Sequence, residues 1–385
     1  VAEKGLFEPL PEDQLPVADL FPEVTMDAMT KVDGKRYGIT EKFGYNTISY
    51  NNTKVDPADM QNATDRKAYM RRQRSEALAE REGVESAVAM VSSTGLAFVV
   101  NGKVDGNIQD DKGTQVGSGL LGAMLHADPK KALVIGLGTG STAGWLGAVP
   151  SIEKVDVFEL EPAILDVAKA CAPANEAVLQ NPKVHVHMGD ARELLALVPD
   201  KYDVVFSEPS NPYRAGIASL YTQEYYRQVQ GRMTDDGVFL QWVQGYETDA
   251  RTIRIIASTL QSIFPETEIW ELEVNDLLFV ASNKPRKYDA AKLRARLATE
   301  PFRKGFLAAW GVADLEGFFS HYVAQPPFVK SLAKLGLEPL NTDDACIVEF
   351  GFAKNVGQHS WFAGTEILEL ARERKARPSA EVALG

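Results

Sequence analysis

The chain has 385 residues, 45% of them hydrophobic and 24% charged, enough for a full core and more than one folding unit. Its net charge of −12 argues against a nucleic-acid phosphate partner and suits a cationic ligand. Two cysteines, Cys171 and Cys346, and five scattered histidines give neither a disulfide framework nor metal-ligand spacing, and no apolar run approaches the roughly 18 residues of a membrane helix.

Residues 1–35 are acidic and proline-rich, with isolated apolar anchors at Leu6, Phe7, Leu20 and Phe21, and read as an arm lying on another surface. The chain starts at Val1 without a signal-peptide pattern, so it is expected to be a trimmed or processed product, soluble as it stands, and its location stays open. Residues 64–82 are helix-permissive and densely charged. Arg66, Lys67, Arg71, Arg72 and Arg74 among acids read as a solvated helix face, with a phosphate or membrane surface as the alternative. Residues 84–104 change to short strands, and Asn101-Gly102 is a hairpin signal. A helix over 113–126 leads into a long strand–helix alternation.

In that alternation an apolar run at 132–135 breaks into Gly136-Leu-Gly138-Thr-Gly140, and the next apolar run ends on Glu159. Strand, glycine turn, helix, strand, acid is half of a nucleotide-binding α/β sheet. The G-x-G-x-G spacing differs from the dinucleotide G-x-G-x-x-G and suits S-adenosylmethionine, which has no pyrophosphate to cradle; an NAD-dependent dehydrogenase is correspondingly disfavoured. Further strands over 184–188, 202–206 and 237–243 and a closing pair at 268–272 and 277–281 predict an α/β fold: a seven-stranded Rossmann-like, methyltransferase-type sheet. The expected division is an N-terminal arm and charged helix (1–82), a small β-domain with its linking helix (83–126), a cofactor-binding domain (127–288) and a helical C-terminal extension (289–385).

Ligands of open α/β sheets sit at the carboxyl ends of the strands, and the candidate residues fall there. Gly136, Gly138, Thr139 and Gly140 follow the first strand, Glu159 ends the second, and Asp190 with Ala191 follows the third. Glu208 and Asn211 follow the fourth strand, and Gln241 lies in the fifth. Glu159 suits the two ribose hydroxyls and Asp190 an adenine amino group, while Ala191 leaves room for the ring. For Asp190 a helix N-cap is the plain alternative. Taken together, the set predicts an adenosyl-sulfonium site without a metal. Tyr221, Tyr225, Tyr226, Trp242 and Tyr246 are candidates to wall a cationic acceptor by cation–π contact, with Tyr225 and Trp242 read as core.

Residues 82–285 resemble spermidine synthase and its relatives, the aminopropyltransferases. The matching pieces are Val100-Asn-Gly-Lys-Val-Asp105, the Gly136–Gly140 turn, Glu159-Leu-Glu161, Gly189-Asp-Ala191 and Tyr202-Asp-Val-Val205. Leu220-Tyr-Thr-Gln-Glu-Tyr-Tyr226 and Gly237-Val-Phe-Leu-Gln241 continue the match. Pro339-Leu-Asn-Thr-Asp-Asp344 with Val348-Glu-Phe350 looks like the subgroup fused behind membrane-spanning segments, which implies a cytoplasmic or membrane-associated parent protein. The resemblance implies Glu208 as base, with Asn211 and Tyr221 beside it as catalytic residues. It also implies S-adenosylmethionine or its decarboxylated form as co-substrate, a small cationic acceptor, and pairing of two copies through the β-domain.

Three departures matter. The turn position where the family carries an Asp is Thr139. The stretch where it carries Tyr-His-Glu is Gln115-Val-Gly117, and its Asp-Ser-x-Asp-Pro becomes Glu208-Pro-Ser-Asn211-Pro. Without the turn carboxylate there is less reason to prefer the decarboxylated donor. The expected function is therefore alkyl transfer from an adenosyl sulfonium to an amine, leaning to intact S-adenosylmethionine. A true aminopropyltransferase making a polyamine and a non-catalytic nucleotide-binding module are the alternatives.

Overall fold

The computed structural model describes residues 31–32, 35–36, 77–84, 86–92, 95–273, 276–335, 339–355 and 363–377. The expected apolar anchors of the arm and the basic cluster at 66–74 lie outside these residues. Of the compact unit Val1–Asp59, the described residues form one short antiparallel pair, β1 (Lys31–Val32) and β2 (Lys35–Arg36).

The second unit, Met60–Gly385, begins with a four-stranded antiparallel sheet: β3 (Ala77–Glu82), β4 (Ala87–Val91), β5 (Ala97–Val100) and β6 (Lys103–Asn107). β3 corrects the sequence reading, which extended a charged helix to Glu82. Ala77-Leu-Ala-Glu-Arg-Glu82 has good helix formers, but β4 offers an open ladder of backbone groups, and the charged side chains stay in water on an edge strand. The hairpin between β5 and β6 turns on Asn101 and Gly102, with φ of 49° and 86°, the pair of left-handed residues a two-residue hairpin requires.

The main sheet has the order β14-β12-β13-β11-β10-β7-β8-β9. The strands β7 (Lys131–Ile135), β8 (Lys154–Glu159), β9 (Val184–Met188), β10 (Tyr202–Ser207) and β11 (Met233–Gln244) run parallel. β12 (Glu266–Glu271) and β13 (Asp276–Ser282) close it antiparallel. The seven expected strands are present, and an eighth, β14 (Tyr322–Ala324), adds to the edge at β12. β14 comes from the extension expected to be helical. Its three residues are buried against β12, with Tyr322 stacked on Trp270 at 4.7 Å between ring centroids.

Alternation along the strands explains the two cores. Ala132 and Val134 of β7 face one apolar layer, Leu133 and Ile135 the other. The first layer is built by α1 (Lys112–Leu125), α2 (Ser141–Ala148), α3 (Ile164–Ala170), α7 (Ala290–Leu297), α8 (Phe302–Trp310) and α9 (Leu315–Ser320). The second is built by α4 (Ala191–Leu197), α5 (Gln223–Gly231), α6 (Ala250–Gln261), α10 (Pro326–Leu335), α11 (Ile347–Ala353) and α12 (Ala363–Glu373). α1 is buried from Gly113 to Leu125 because α8 covers it, Trp310 donating its indole N–H to the Gly113 carbonyl at 3.0 Å. Gly119 lets α1 touch α2: a Cβ there would sit 2.6 Å from the Thr142 carbonyl oxygen.

The segment 339–344 staples the extension to the sheet. Asn341 accepts a bond from Val348 N–H and donates to the Ala218 carbonyl, and Asp343 holds Arg192 through two bonds of 2.6 and 2.7 Å. Among the described residues no helix is long and apolar enough to cross a membrane.

Candidate active site

The glycine turn joins β7 to α2 in a conformation that side chains rarely adopt, with φ of 94°, 51° and 81° at Gly136, Gly138 and Gly140. A Cβ on Gly136 would meet the Glu208 carbonyl oxygen at 2.5 Å. That close approach ties the turn to the loop after β10. At Gly138, among the described residues, the Phe98 ring is the one neighbour within 4 Å of the Cβ position, which leaves space against the backbone.

Glu159 ends β8 almost fully buried. It accepts the N–H of Leu137 and of Glu161, each at 2.8 Å, so one carboxylate fixes the turn and its own loop. Burial raises its pKa, and these backbone bonds oppose the shift. Glu161 caps Ala163 N–H and reaches Ser86 N–H of the small sheet. Asp190 is exposed and is the N-cap of α4, as the plain reading had it. Oδ1 takes the N–H of Arg192 and Glu193.

Thr139 is buried, and its hydroxyl donates to Gln115 Oε1 at 2.5 Å. The two neutral departures from the family pattern thus complete each other. Beside them the Thr142 hydroxyl lies 2.9 Å from Glu208 Oε2 and 3.1 Å from the Gln115 carbonyl oxygen.

Glu208 follows β10, and burial followed by the charges of Asp111 and Asp276 pushes its pKa up to about 8. These neighbours belong to a set of carboxylates that sequence reasoning missed. Asp276 opens β13; burial with the charge of Asp111 raises it to about 6, opposed by hydrogen bonds from Thr114 and the Trp242 indole. Glu273 is raised to about 7 by burial and by Asp111, Asp276 and Asp110, and Asp111 itself is raised by burial. Thr114 donates to Asp276 at 2.7 Å and Gly113 N–H to Glu273 at 2.5 Å, which fixes both acids at the start of α1. Nothing in the sequence distinguishes Glu273 and Asp276 from an ordinary polar turn. The one available hint was an acid directly preceding the apolar run Leu277–Ala281.

Asn211 is buried three residues beyond Glu208, donating to Asp105 of β6 at 2.7 Å and accepting from Lys103 at 3.2 Å. Asp105 also binds Ser210 at 2.7 Å and Arg214 at 2.9 Å, which locks the small sheet to this loop. Tyr221 and Gln241 lie fully buried beneath the site: the Tyr221 hydroxyl and the Gln241 amide each donate to the Trp242 carbonyl at 3.1 Å. Tyr225 and Tyr226 are core, Tyr225 donating to Ser207 at 2.9 Å, and Trp242 is 8% exposed, whereas Tyr246 is partly open.

At the opposite, amino ends of the strands, His126, Asp203 and Asp236 come close enough to suggest a metal site. The donor set does not fit one. Asp128 N–H donates to His126 Nδ1, so the neutral ring, kept neutral by burial, carries its hydrogen on Nε2, 3.5 Å from Asp236. Asp203 already accepts from Lys130 and Lys131 N–H and from Thr234.

A parallel sheet in the methyltransferase order, with a glycine turn and carboxylates at three strand ends, is a Rossmann-like, methyltransferase-type fold that follows a small antiparallel sheet. Residues 119–274 match the Spermine/spermidine synthase domain. It is 28% identical over 145 residues to a polyamine aminopropyltransferase of Nitrosomonas europaea, covering 37% of this chain and 44% of the relative. With that of Alkaliphilus metalliredigens it shares 30% over 152 residues, covering 39% and 53% respectively. The chain thus spans about half the length of these curated relatives. The crystal structure of spermidine synthase from Thermotoga maritima superposes with a TM-score of 0.55 at 18% identity, covering 68% of this chain and 88% of that one, a likeness of fold.

Proposed function

We propose that the chain is a transferase that moves an aminopropyl arm from decarboxylated S-adenosylmethionine to a cationic amine. The observation that carries this reading is the set of carboxylates raised by burial and mutual repulsion around Glu208. Such a set holds negative charge that a bound ammonium would relieve. It also revises the leaning toward intact S-adenosylmethionine. Asp111 and Asp276 would repel a donor carboxylate, so acids from other elements take over the discrimination that Thr139 lacks. The matched relatives are named polyamine aminopropyltransferases, which supports the same arm.

In this reading the glycine turn and Glu159 hold the nucleoside, Asp190 Oδ2 accepts from its base, and Ala191 leaves the ring its space. A sulfonium donor supplies a carbon from which sulfur leaves as a neutral thioether while the amine nitrogen bonds to it. Glu208 takes the proton the amine must lose. A carboxylate with a pKa of about 8 is a far better match to an amine near 10 than an ordinary one. Asn211 positions the loop that carries Glu208, and Tyr221 and Gln241 support the floor.

The neutral Thr139–Gln115 pair favours a second reading, in which intact S-adenosylmethionine is the donor and the arm is methyl or aminocarboxypropyl. Mass spectrometry of both products with each donor decides. Methylthioadenosine and an aminopropylated amine from the decarboxylated donor support the first reading. Adenosylhomocysteine, or an aminocarboxypropylated amine, from intact donor alone supports the second. No nucleoside product with either donor leaves only a nucleotide-binding module.

A further inference from the structure

Next to the acids around Glu208 is a second arrangement suited to an ammonium, and the chain fills it itself. The Lys103 ammonium lies 2.9 Å from Glu247 Oε2 and 3.2 Å from Asn211 Oδ1, with the Tyr213 ring centroid at 4.9 Å and that of Tyr246 at 5.9 Å. A carboxylate, an amide oxygen and two phenol rings are what recognises an alkylammonium. Glu247 reaches this position with φ at +48°, a backbone conformation that only a constrained site maintains in a residue other than glycine.

The cage adjoins the proposed acceptor site. Asn211 belongs to the loop that carries Glu208, and Asp105, two residues from Lys103, clamps that loop through Asn211, Ser210 and Arg214. Tyr246 is shared: Lys103 lies over its ring, and burial, followed by the charges of Asp276 and Asp111, raises its phenol pKa. Lys103 is 34% exposed, so its end is in place without being sealed from the site.

We infer that Lys103 is a built-in counter-cation that occupies the place of an acceptor's second ammonium, so that this chain selects a monoamine over a diamine of the same length. The inference rests on the alkyl-transfer reading and narrows its substrate class. A diamine entering with one nitrogen at Glu208 would bring its other ammonium against a fixed positive charge whose carboxylate partner is already engaged. An alkyl end meets the tyrosine rings without that repulsion.

Calorimetric titration of the full chain with butylamine and with 1,4-diaminobutane, in the presence of methylthioadenosine, tests it. The expected result is tighter binding of butylamine by the unaltered chain. In Lys103→Met the ratio should move at least tenfold toward the diamine, because Glu247 and the tyrosines then accept its far ammonium, and Lys103→Arg should retain the original preference. A diamine preference in the unaltered chain, or a ratio unmoved in Lys103→Met, overturns the inference and leaves alkyl transfer standing. Binding of neither amine by any of the three proteins, with no alkylated amine from either donor, overturns both. Should Lys103→Met fail to fold, the unaltered chain's preference and that of Glu247→Gln, expected to bind the diamine still less well, decide the matter.

Discussion

The two halves of the proposed site, one for the nucleoside and one for the amine, are built in opposite ways. On the nucleoside side, Glu159 and Asp190 spend hydrogen-bonding capacity on backbone N–H groups of their own neighbourhood, so each carboxylate shapes the loop that it serves. On the amine side, Asp111, Glu208, Glu273 and Asp276 come from distant parts of the chain and repel one another. A satisfied carboxylate holds a shape, whereas a strained set is complete only when a cation joins it.

The comparison breaks most sharply at Glu208. Glu208→Gln should lower kcat by roughly 10²–10⁴-fold while leaving the dissociation constant of methylthioadenosine unchanged, measured by product formation and calorimetry. Turnover equal to that of the unaltered chain would remove Glu208 as the base. Next in size is Glu159→Ala. It strips the acceptors from Leu137 and Glu161 N–H, at about 1 kcal/mol or more each, and should weaken the nucleoside some 10–100-fold with a lower thermal midpoint. If it weakened the amine instead, the division between the halves would be wrong.

A smaller, graded effect concerns pH. Glu208 must be ionised to act, so kcat/KM should rise with pH and level off above about 8. Asp276→Asn should move that inflection downward because a like charge is removed. Stability runs the other way. The folded pKa of Glu208 lies above its unfolded value, so its contribution is full below the ordinary carboxylate range and is lost as pH climbs through about 8. The thermal midpoint should therefore fall over that window, and added 1,4-diaminobutane or butylamine should restore it most at the alkaline end. A flat midpoint across the window would mean that the acids are not strained. The mildest change is Thr139→Asp, expected to shift donor selectivity roughly tenfold toward decarboxylated S-adenosylmethionine in competition assays. An unaltered ratio would show that the acids on the amine side already determine donor choice.

The positions of the residues proposed to hold the nucleoside were legible in the linear chain because they follow one another at successive strand ends. Gly136, Glu159 and Asp190 occupy equivalent places in a repeating strand–helix rhythm, and the hydrophobic period located those places within a residue or two. The rhythm failed where it was absent. Ala77–Glu82 has helix-forming residues and is a strand because β4 offers it a partner, and Tyr322–Ala324 is a strand because β12 does. Gln241 was placed within its strand and lies there, while Tyr221 ends a short 3₁₀ helix; both side chains are fully buried, which spacing along the chain does not encode.

By itself the sequence determined the strand–helix alternation, the glycine turn and the acids that follow the strands, since each depends on neighbours within one strand–helix unit. Only the tertiary structure decided what stands opposite. Glu273 and Asp276 meet Asp111 across some 160 residues, and Thr139 finds Gln115. Lys103 enters a cage made by two loops far from it in the chain. The physical reason is that charge and desolvation act through space, so a carboxylate that reads as an ordinary turn residue becomes a strained one only when the fold buries it beside others.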